Sequence, residues 1–274
     1  MIDLHLHTTA SDGRCEPAEL VQRAWNAGVR TLSVTDHDTV AAVAEVSTIG
    51  AGLGIEVVPG IEITAVLAER DVHVLGYFFD PDREVRGAFL QEQRTDRVRR
   101  VRDLGAKLAS LGTPIDVDHI TEAPGTKPGR ALGRPLVAAA LVKAGHVADI
   151  RQAFDELIGE GGPAYVSRRG GTPAEVVTII HQAGGIASLA HPGLLRNDSL
   201  IPELAEGGLV AIEVYHRDHD PVATAHYLSL AGRYGLAVSG GSDYHGEVGH
   251  RRNGLGIVGL PDEHYRVLKA RAQR

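Results

Sequence analysis

Histidines and carboxylates recur in this sequence at spacings that suit metal binding. His5 and His7 are two residues apart in a short alternating segment, so both imidazoles project from one face if the segment is a strand. Asp12 follows in the turn-rich sequence Ser11-Asp12-Gly13, from which a carboxylate can fold back toward the pair. The His-x-His pair alone is weak evidence, because ordinary polar contacts explain it at least as well.

Further candidates occur at similar places along the chain, nearly always where a predicted strand ends. The carboxyl ends of the strands in a barrel of βα units converge on one face, where the active sites of barrel enzymes lie. A hydrogen-bonded polar group explains any one of these residues, but explains all nine poorly. The set is His5, His7, Asp12, His37, Glu62, His73, His191, Asp243 and His245. Together they predict a polynuclear metal site.

Six imidazoles and three carboxylates exceed what one ion can use, since zinc takes about four ligands and octahedral ions about six. We therefore expect two or three divalent transition ions. Ligation by nitrogen and oxygen without thiolate suits Mn, Zn or Fe. Ions about 3.5 to 4 Å apart can share a hydroxide, orient a phosphate and neutralise charge on attacking and leaving oxygens. Phosphoester hydrolysis is the predicted chemistry.

The segments that carry these residues alternate between strand and helix patterns. Apolar, β-rich runs predict strands over 1–6, 31–35, 55–58, 72–79, 186–190, 210–215 and 236–239. Periodic apolar residues predict helices over 16–26, 39–47, 173–182, 199–205, 223–234 and 263–274, the second of them capped by Asp38. This alternation predicts an α/β fold of about seven βα units.

The strand pattern is absent from residues 84–165. Val98, Val101, Leu104, Leu108 and Leu111 recur at helical spacing, and 135–144 has the pattern of another helix. We predict a small helical insertion over 84–165 that caps the active site, between barrel segments 1–83 and 166–274. The insertion has 12 Lys and Arg against 11 Asp and Glu, a net charge of +1. Since the whole chain has a net charge of −7, the barrel segments have a net charge of −8.

Composition excludes several classes of protein. Of the 274 residues, 43% are hydrophobic and 23% charged, as in folded globular proteins, and Cys15 alone allows no internal disulfide. No run approaches the roughly 18 apolar residues of a membrane helix, and no leader pattern follows Met1, so we expect a cytoplasmic protein with no membrane partner. The net charge of −7 argues against binding to duplex nucleic acid.

The order and spacing of the motifs resemble those of the PHP family, the polymerase and histidinol phosphatase domain, over nearly the whole chain. The matching segments are Asp3-Leu4-His5-Leu6-His7-Thr8, Ser11-Asp12-Gly13, Thr35-Asp36-His37-Asp38, Pro59-Gly60-Ile61-Glu62-Ile63, His73-Val74-Leu75-Gly76-Tyr77, Leu189-Ala190-His191-Pro192-Gly193 and Gly241-Ser242-Asp243-Tyr244-His245. The resemblance implies a distorted (β/α)7, TIM-like barrel with a trinuclear site.

The same resemblance implies an assignment of ligands to ions. His5, His7, Glu62 and Asp243 would hold the first ion. Glu62 would bridge to a second ion, held also by His73 and His191. The third would be held by Asp12, His37 and His245.

Two segments of the insertion narrow the resemblance to one subgroup of the family. They are Leu132-Gly133-Arg134-Pro135 and Pro163-Ala164-Tyr165-Val166. In these segments the chain is similar to the nucleoside 3′,5′-bisphosphate phosphatases and 5′-to-3′ exoribonucleases acting on short RNA. That subgroup usually has His after Arg-Pro, whereas this chain has Leu136. Arg134 would then bind a substrate phosphate, for which the planar guanidinium is suited, although a surface ion pair is the alternative.

Other residues are candidates for contacts around the reacting phosphate. We assign Tyr165 and His216 to substrate binding, and His219 to proton donation to a leaving ribose oxygen, in a catalytic set with Glu62 and Asp243. Both histidines follow the strand that ends at 215, and the alternative is that they are merely exposed.

Carboxylates flank His37 on both sides. Asp36 or Asp38 could hold the far nitrogen of a metal-bound imidazole, although Asp38 serves equally well as a helix cap.

One basic run lies in the insertion and invites an interpretation as a track for RNA. It consists of Arg94, Arg97, Arg99, Arg100, Arg102 and Lys107. Asp96 with Arg100, and Arg99 with Asp103, are i,i+4 pairs on a helix. We therefore favour a solvated helix face.

Together these features predict a metal-dependent phosphoesterase that hydrolyses a terminal phosphate from a small nucleotide or short 5′-phosphorylated RNA. A hydroxide shared by the ions would attack phosphorus in line. One alternative is a phosphomonoesterase of the histidinol-phosphate type. Another is a non-catalytic, polymerase-associated accessory domain, against which the full set of ligands argues.

Overall fold

The computed structural model describes residues 1–80, 87–121, 130–246 and 254–273. The strands of these ranges form two sheets. The first contains β1 (Ile2–Leu6), β2 (Thr31–Val34) and β3 (Glu56–Val57), and the second contains β4 (Gly60–Leu67), β5 (Arg70–Tyr77), β6 (Ile186–Leu189), β7 (Ala211–His216) and β8 (Ala237–Gly241). Within each sheet the spatial order follows the order along the chain.

Helices alternate with the strands over much of the chain. They are α1 (Pro17–Asn26), α2 (Val43–Leu53), α3 (Gly87–Ser110), α4 (Val117–Thr121), α5 (Arg134–Lys143), α6 (Ile150–Ala153), α7 (Pro173–Gln182), α8 (Pro192–Leu195), α9 (Leu200–Glu206), α10 (Pro221–Arg233) and α11 (Asp262–Ala272). A π-helical turn, Phe154–Ile158, directly follows α6. The α/β class is therefore confirmed. No helix of the described ranges is long and apolar enough to cross a membrane.

The prediction of a wholly parallel βα series is wrong around β4. This strand was not predicted, and it pairs antiparallel with β5, which in turn pairs antiparallel with β6. Glu62 therefore lies inside β4 and not beyond the end of the preceding strand. The turn between β4 and β5 consists of Ala68 and Glu69, both at positive φ (47° and 65°), as a two-residue hairpin turn of type I′ requires.

Single bridges connect the two sheets at two places. Leu6 pairs with Tyr244 beyond the end of β8, and His37 pairs with Glu62 of β4. These are the edges at which a barrel would close, but the described strands form sheets of three and five. The seven-unit barrel accordingly stays a prediction.

The helix predicted over 39–47 is also wrong in its limits. Helix α2 begins at Val43 and continues through two glycines to Leu53, where Gly54 ends it at φ 69°. Asp38 does not cap it. The Asp38 carboxylate is fully buried and bonded instead to the Thr64 N–H and to two arginines described below.

The apolar core is divided among three clusters of buried side chains. One lies between the second sheet and α7, α9, α10 and α11, and another lies between the first sheet, α1 and α2. The third belongs to α3 through the π-helical turn and includes Val101, Leu104, Leu108, Val137 and Leu141. The predicted insertion thus has apolar packing of its own. Its boundary at 83 and 84 lies outside the described residues.

The solvated face predicted for the basic run is wrong for two of its arginines. Arg97 and Arg100 on α3 are only 7% and 6% exposed. Arg97 donates to Asp38 Oδ2 and to Thr64 Oγ1, and Arg168 donates to the same Asp38 oxygen at 3.1 Å. Of the two predicted i,i+4 pairs only Arg99 with Asp103 forms, because Arg100 binds Asp71 instead.

We expect Arg97→Met to destabilise the protein by about 3 kcal/mol, because removing one partner of a buried ion pair leaves its carboxylate poorly compensated. Arg168 and the Thr64 N–H would remain on Asp38, which places the loss at the low end for such pairs. Burial opposes ionisation of Asp38, but Arg97 and Arg168 hold its pKa well below the usual range. Urea denaturation measures the effect. Arg102→Met, on the exposed face of the same helix, should change stability by less than about 1 kcal/mol.

Candidate metal centre

Glu62 lies at the middle of the histidine cluster. Its two carboxylate oxygens face five imidazoles from four segments of the chain, since His5 and His7 both belong to the segment of β1. The distances are 3.4 Å to His5 Nε2, 3.3 Å to His7 Nε2, 3.1 Å to His37 Nδ1, 2.8 Å to His73 Nδ1 and 3.2 Å to His191 Nε2. Glu62 is 1% exposed, so this carboxylate is held entirely by the imidazoles and the strands around it.

The other two carboxylates lie on either side of His7. Asp243 Oδ1 is 3.2 Å from His7 Nε2 and 3.4 Å from His5 Nε2. Asp12 Oδ1 is 3.7 Å from His7 Nδ1 and 3.3 Å from His245 Nε2. The structure therefore brings together all nine side chains that the sequence analysis selected.

Three overlapping groups have ligand atoms within 4.8 Å of one another, close enough to hold an ion. They are His5, His7 and Asp243; His7, Asp12, His37 and His245; and His37, Glu62 and His73. His7 and His37 each belong to two groups. The assignment of individual ligands to individual ions, and the number of ions, stay predictions.

Several ligand atoms are buried without a hydrogen bond. Both ring nitrogens of His7 and Nδ1 of His37 have no hydrogen-bond partner among the described residues. A buried polar atom left unpaired is costly, so such atoms point to a ligand that completes them. Nitrogen and oxygen donors without sulfur suit divalent Mn, Zn or Fe. The residues present thus fit a transition-metal site.

The charges of the cluster favour bound cations. Burial opposes ionisation of Glu62, but the imidazoles of His37, His73 and His5 outweigh it and hold its pKa well below the usual range. The opposite shift is seen in His245, where burial is outweighed by Asp12 and Asp243, which raise its pKa to about 10. The carboxylates thus favour positive charge at His245, whereas burial lowers the pKa of His37 to about 3, and a metal ion supplies positive charge directly.

Two of the proposed ligands have backbone conformations that are unusual for their residue types. His191 has φ 27° and Asp243 has φ 50°. Such strain persists only where neighbouring groups hold it, and it concentrates at functional sites. Gly241 allows β8 to approach β1 beside this position, because a Cβ there would lie 2.3 Å from the backbone nitrogen of His5.

The sequence analysis missed Glu213. Its Oε1 lies 2.9 Å from His5 Nδ1, and its Oε2 accepts a 2.8 Å hydrogen bond from the backbone N–H of His191. One buried carboxylate thus fixes the far nitrogen of one candidate ligand and the strained backbone of another, as supporting carboxylates do in metal sites. The available signal was a single acidic residue between the apolar residues Ile212 and Val214 of β7.

The two carboxylates that flank His37 have other partners. Asp36 accepts hydrogen bonds from the Thr8 N–H at 2.8 Å and from the Thr8 and Ser11 hydroxyls at 2.6 Å each. It therefore ties down the loop that carries Asp12. Asp38 binds arginines, so neither carboxylate holds the ring of His37 in the way that was considered.

His216, the last residue of β7, and His219 do not face an open site. His219 lies 2.8 Å from the Val214 carbonyl through Nδ1, and its Nε2 accepts the Gly193 N–H at 3.1 Å. Burial lowers its pKa. Because both ring nitrogens are bonded to the backbone, the geometry contradicts the expectation that His219 donates a proton to the leaving group.

His216 is likewise turned inward. Its side chain is buried, its Nδ1 accepts the Asp218 N–H, and its Nε2 lies 3.4 Å from Asp243 Oδ2. This arrangement contradicts the expected substrate contact and favours a role in positioning Asp243.

Beside the histidines lies a cavity rich in arginine. His37, His73 and Asp12 line one side of it, and its other side includes Arg97, Arg100, Arg134 and Arg168. Arg100 Nη2 and Arg168 Nε are buried without a hydrogen-bond partner among the described residues. Four guanidinium groups line this cavity with two carboxylates, Asp12 and Asp71, and guanidinium groups are suited to bind an anion such as a phosphate.

Arg134 is held at the edge of this cavity by the residues around it. Its Nη2 is 3.2 Å from Asp71 Oδ2, and the guanidinium lies over the rings of Tyr165 and Phe154 at 5.8 and 5.6 Å. The Tyr165 hydroxyl donates to the Glu69 carbonyl at 2.9 Å. Tyr165 therefore supports Arg134 through its ring, and its hydroxyl is already bonded.

Comparison with known proteins identifies relatives. The chain is 34% identical over 262 residues to a phosphoribosyl 1,2-cyclic phosphate 1,2-diphosphodiesterase of Eggerthella lenta, over 90% of this chain and 95% of that one. It is 32% identical to a 3′,5′-nucleoside bisphosphate phosphatase of Chromobacterium violaceum, over 91% and 90% of the two chains. It is 33% identical to the 5′-3′ exoribonuclease Rnm of Escherichia coli, over 89% and 84%.

A solved structure is also similar. It is described as a metal-dependent phosphoesterase of Bifidobacterium adolescentis and matches with a TM-score of 0.88 at 32% identity, over 98% of this chain and 95% of that one. The PHP domain itself matches residues 3–159. These findings confirm the resemblance drawn from the motifs: the chain belongs to the PHP family and is a phosphoesterase of that family.

Proposed function

We propose that this enzyme removes a terminal phosphate from a small nucleotide that carries a second phosphate, as a 3′,5′-bisphosphate or a short 5′-phosphorylated RNA does. One observation carries the proposal. Candidate metal ligands and four arginines line the same cavity, so a phosphate at the metal ligands has a second anion site beside it. A substrate with two phosphates fits this arrangement better than one with a single phosphate.

We propose two or three ions of Mn, Zn or Fe, held by the nine clustered side chains. Bound ions would supply activation of water and neutralisation of phosphate charge. The chain's own residues prepare the site. Glu62 is placed among five imidazoles, Glu213 orients His5 and the backbone of His191, and Asp36 fixes the loop of Asp12.

The helical segment from α3 to the π-helical turn would serve as a cap in this proposal. Arg97 and Arg100 of α3, and Arg134 of α5, come from it, whereas the metal ligands come from the strands and the loops that follow them. The substrate would therefore lie between the two parts, with its reacting phosphate on one side and its second phosphate on the other.

The names of the relatives support a phosphorylated substrate that contains a ribose, either with a base or without one. Two of them are named for nucleotide or RNA substrates, and one is named for a phosphoribosyl cyclic phosphate. The last is an alternative without a base. A phosphomonoesterase of the histidinol-phosphate type is a further alternative, and it would leave the arginine cavity without a second phosphate.

The test is a panel of substrates with protein stripped of metal and reloaded separately with Mn²⁺, Zn²⁺ or Fe²⁺. We expect the highest kcat/KM on adenosine 3′,5′-bisphosphate or a short 5′-phosphorylated RNA, and lower values on AMP, histidinol phosphate and phosphoribosyl 1,2-cyclic phosphate. Elemental analysis of the active sample should give two or three ions per chain. A preference for histidinol phosphate, or full activity with one ion or none, would contradict the proposal.

A further inference from the structure

A second groove opens from the metal centre on the other side of Asp12. Asp12 and His245 lie at its inner end. Asp12 and Pro135 line both this groove and the arginine cavity, so the two meet at the candidate metal ligands. A molecule whose reacting group lies at Asp12 can extend into both.

The two cavities differ in chemistry. One wall of the groove is apolar and comes from Pro135, Leu136 and Ala139 at the start of α5 and from Ile150 at the start of α6. Leu136 and Ile150 are partly buried and pack against the core of the insertion. An apolar wall beside a polar reaction centre indicates a part of the substrate that is itself apolar.

Two arginines also line the groove. Arg14 is exposed there, and Arg217 lies with its Nη2 3.4 Å from Asp243 Oδ2. Guanidinium planes stack on the faces of nucleobases, and aliphatic side chains pack against those faces. The groove therefore suits a flat group with an apolar face and a polar edge better than it suits a phosphate.

A nucleoside 3′,5′-bisphosphate has three groups on one ribose, and the site offers three environments. The reacting phosphate would lie at the metal ligands and the second phosphate at the arginines. The remaining group is the base, and the groove lined by Asp12 and His245 offers it an environment with an apolar wall. A sugar phosphate without a base would leave the apolar wall in contact with water.

We propose that the groove binds the nucleobase and that Leu136 determines selection for base-bearing over base-free ribose phosphates. This inference rests on the proposed function and adds to it the part of the substrate that the chain recognises away from the phosphates. It also assigns a role to the leucine at the position where the related subgroup usually has histidine.

The experiment compares kcat/KM on adenosine 3′,5′-bisphosphate with that on 1-O-methylribose 3,5-bisphosphate, which has the same two phosphates and no base. Wild type should prefer the nucleotide by at least about tenfold, since even one or two methylene-sized contacts in a pocket discriminate by that much. Leu136→Asn, which keeps the branched shape and the number of heavy atoms of the side chain and removes its apolar character, should reduce this preference toward unity by lowering only the value for the nucleotide.

Two further variants separate recognition from folding. Ala139→Gln fills the groove from an exposed position of α5 and removes no packing, so it should reduce the same preference. Leu111→Ala removes an exposed leucine elsewhere in the insertion and should leave both values as in wild type.

Wild type that prefers the base-free substrate would refute the nucleotide proposal itself. Wild type that prefers the nucleotide, with Ala139→Gln and Leu136→Asn keeping the full preference, would refute only the assignment of the groove. An equal loss on both substrates in the two variants would refute it as well, because it would show a general effect on catalysis.

Discussion

Glu62→Gln should lower kcat by at least about a hundredfold, the loss typical of removing one positioned electrostatic contact in an active site. The change removes the negative charge from a side chain that lies against five imidazoles of the cluster. It keeps the shape of the side chain, so β4 and its pairing with β5 should be preserved. Circular dichroism and thermal denaturation check the fold, and elemental analysis should show fewer bound ions.

A matched control is available on the neighbouring strand. Glu56 of β3 binds Lys269 and Tyr265 of α11 and not a histidine of the cluster, and its side chain is 42% exposed. Glu56→Gln makes the same chemical change outside the cluster and should leave kcat within about twofold of wild type. Near-normal turnover of Glu62→Gln would mean that a carboxylate other than Glu62 bridges the ions. Asp243 and Asp12 would then be the next residues to change.

Elements with strong local signals were predicted closely. Helix α7 has the limits expected from Pro173 and the preceding Thr172, whose side chain forms a capping box with Glu175. Apart from α2, the strands and helices whose limits were predicted begin and end within two residues of those limits. The nine clustered side chains were found for a similar reason, because their motifs are local and recur along the chain.

Features that depend on distant partners were missed. The hairpin of β4 and β5 turns at Ala68-Glu69, which lacks the Asn or Gly that usually marks such a turn. Arg97 and Arg100 were interpreted as solvated because nearby acidic residues could pair with them. Their actual partners, Asp38 and Asp71, lie 59 and 29 residues away along the chain. No local pattern reports such pairs, although both arginines fall on the same helix face as Val101 and Leu104.

The same long-range contacts give the arginine cavity its chemistry. Asp71 lies on β5 two residues before His73 and pairs with both Arg100 and Arg134. Burial opposes ionisation of Asp71, but these guanidinium groups outweigh it and lower its pKa to about 2. One carboxylate therefore fixes two arginines beside a candidate metal ligand, while Arg100 Nη2 has no hydrogen-bond partner among the described residues.

Removal of the Arg134 guanidinium should affect substrates with two phosphates far more than those with one. Arg134→Ala is expected to raise KM for adenosine 3′,5′-bisphosphate by about ten- to a hundredfold, since a charge-assisted hydrogen bond contributes roughly 1.5 to 3 kcal/mol. AMP presents no second phosphate once its own phosphate lies at the metal ligands, so its KM should change little. Steady-state kinetics on both substrates measure the difference.

Two variants show whether the effect belongs to the guanidinium. Arg134→Lys keeps the charge but loses the planar fork, so its KM for the bisphosphate should lie between those of wild type and Arg134→Ala. Arg151→Ala removes an arginine of the same helical insertion that is 89% exposed and paired only across the surface with Asp155, and it should leave both KM values unchanged. If Arg134→Ala raises KM equally for the bisphosphate and for AMP, then Arg134 contacts the reacting phosphate or stabilises the fold. The second phosphate would then have to bind through another arginine that lines the same cavity, such as Arg100 or Arg168.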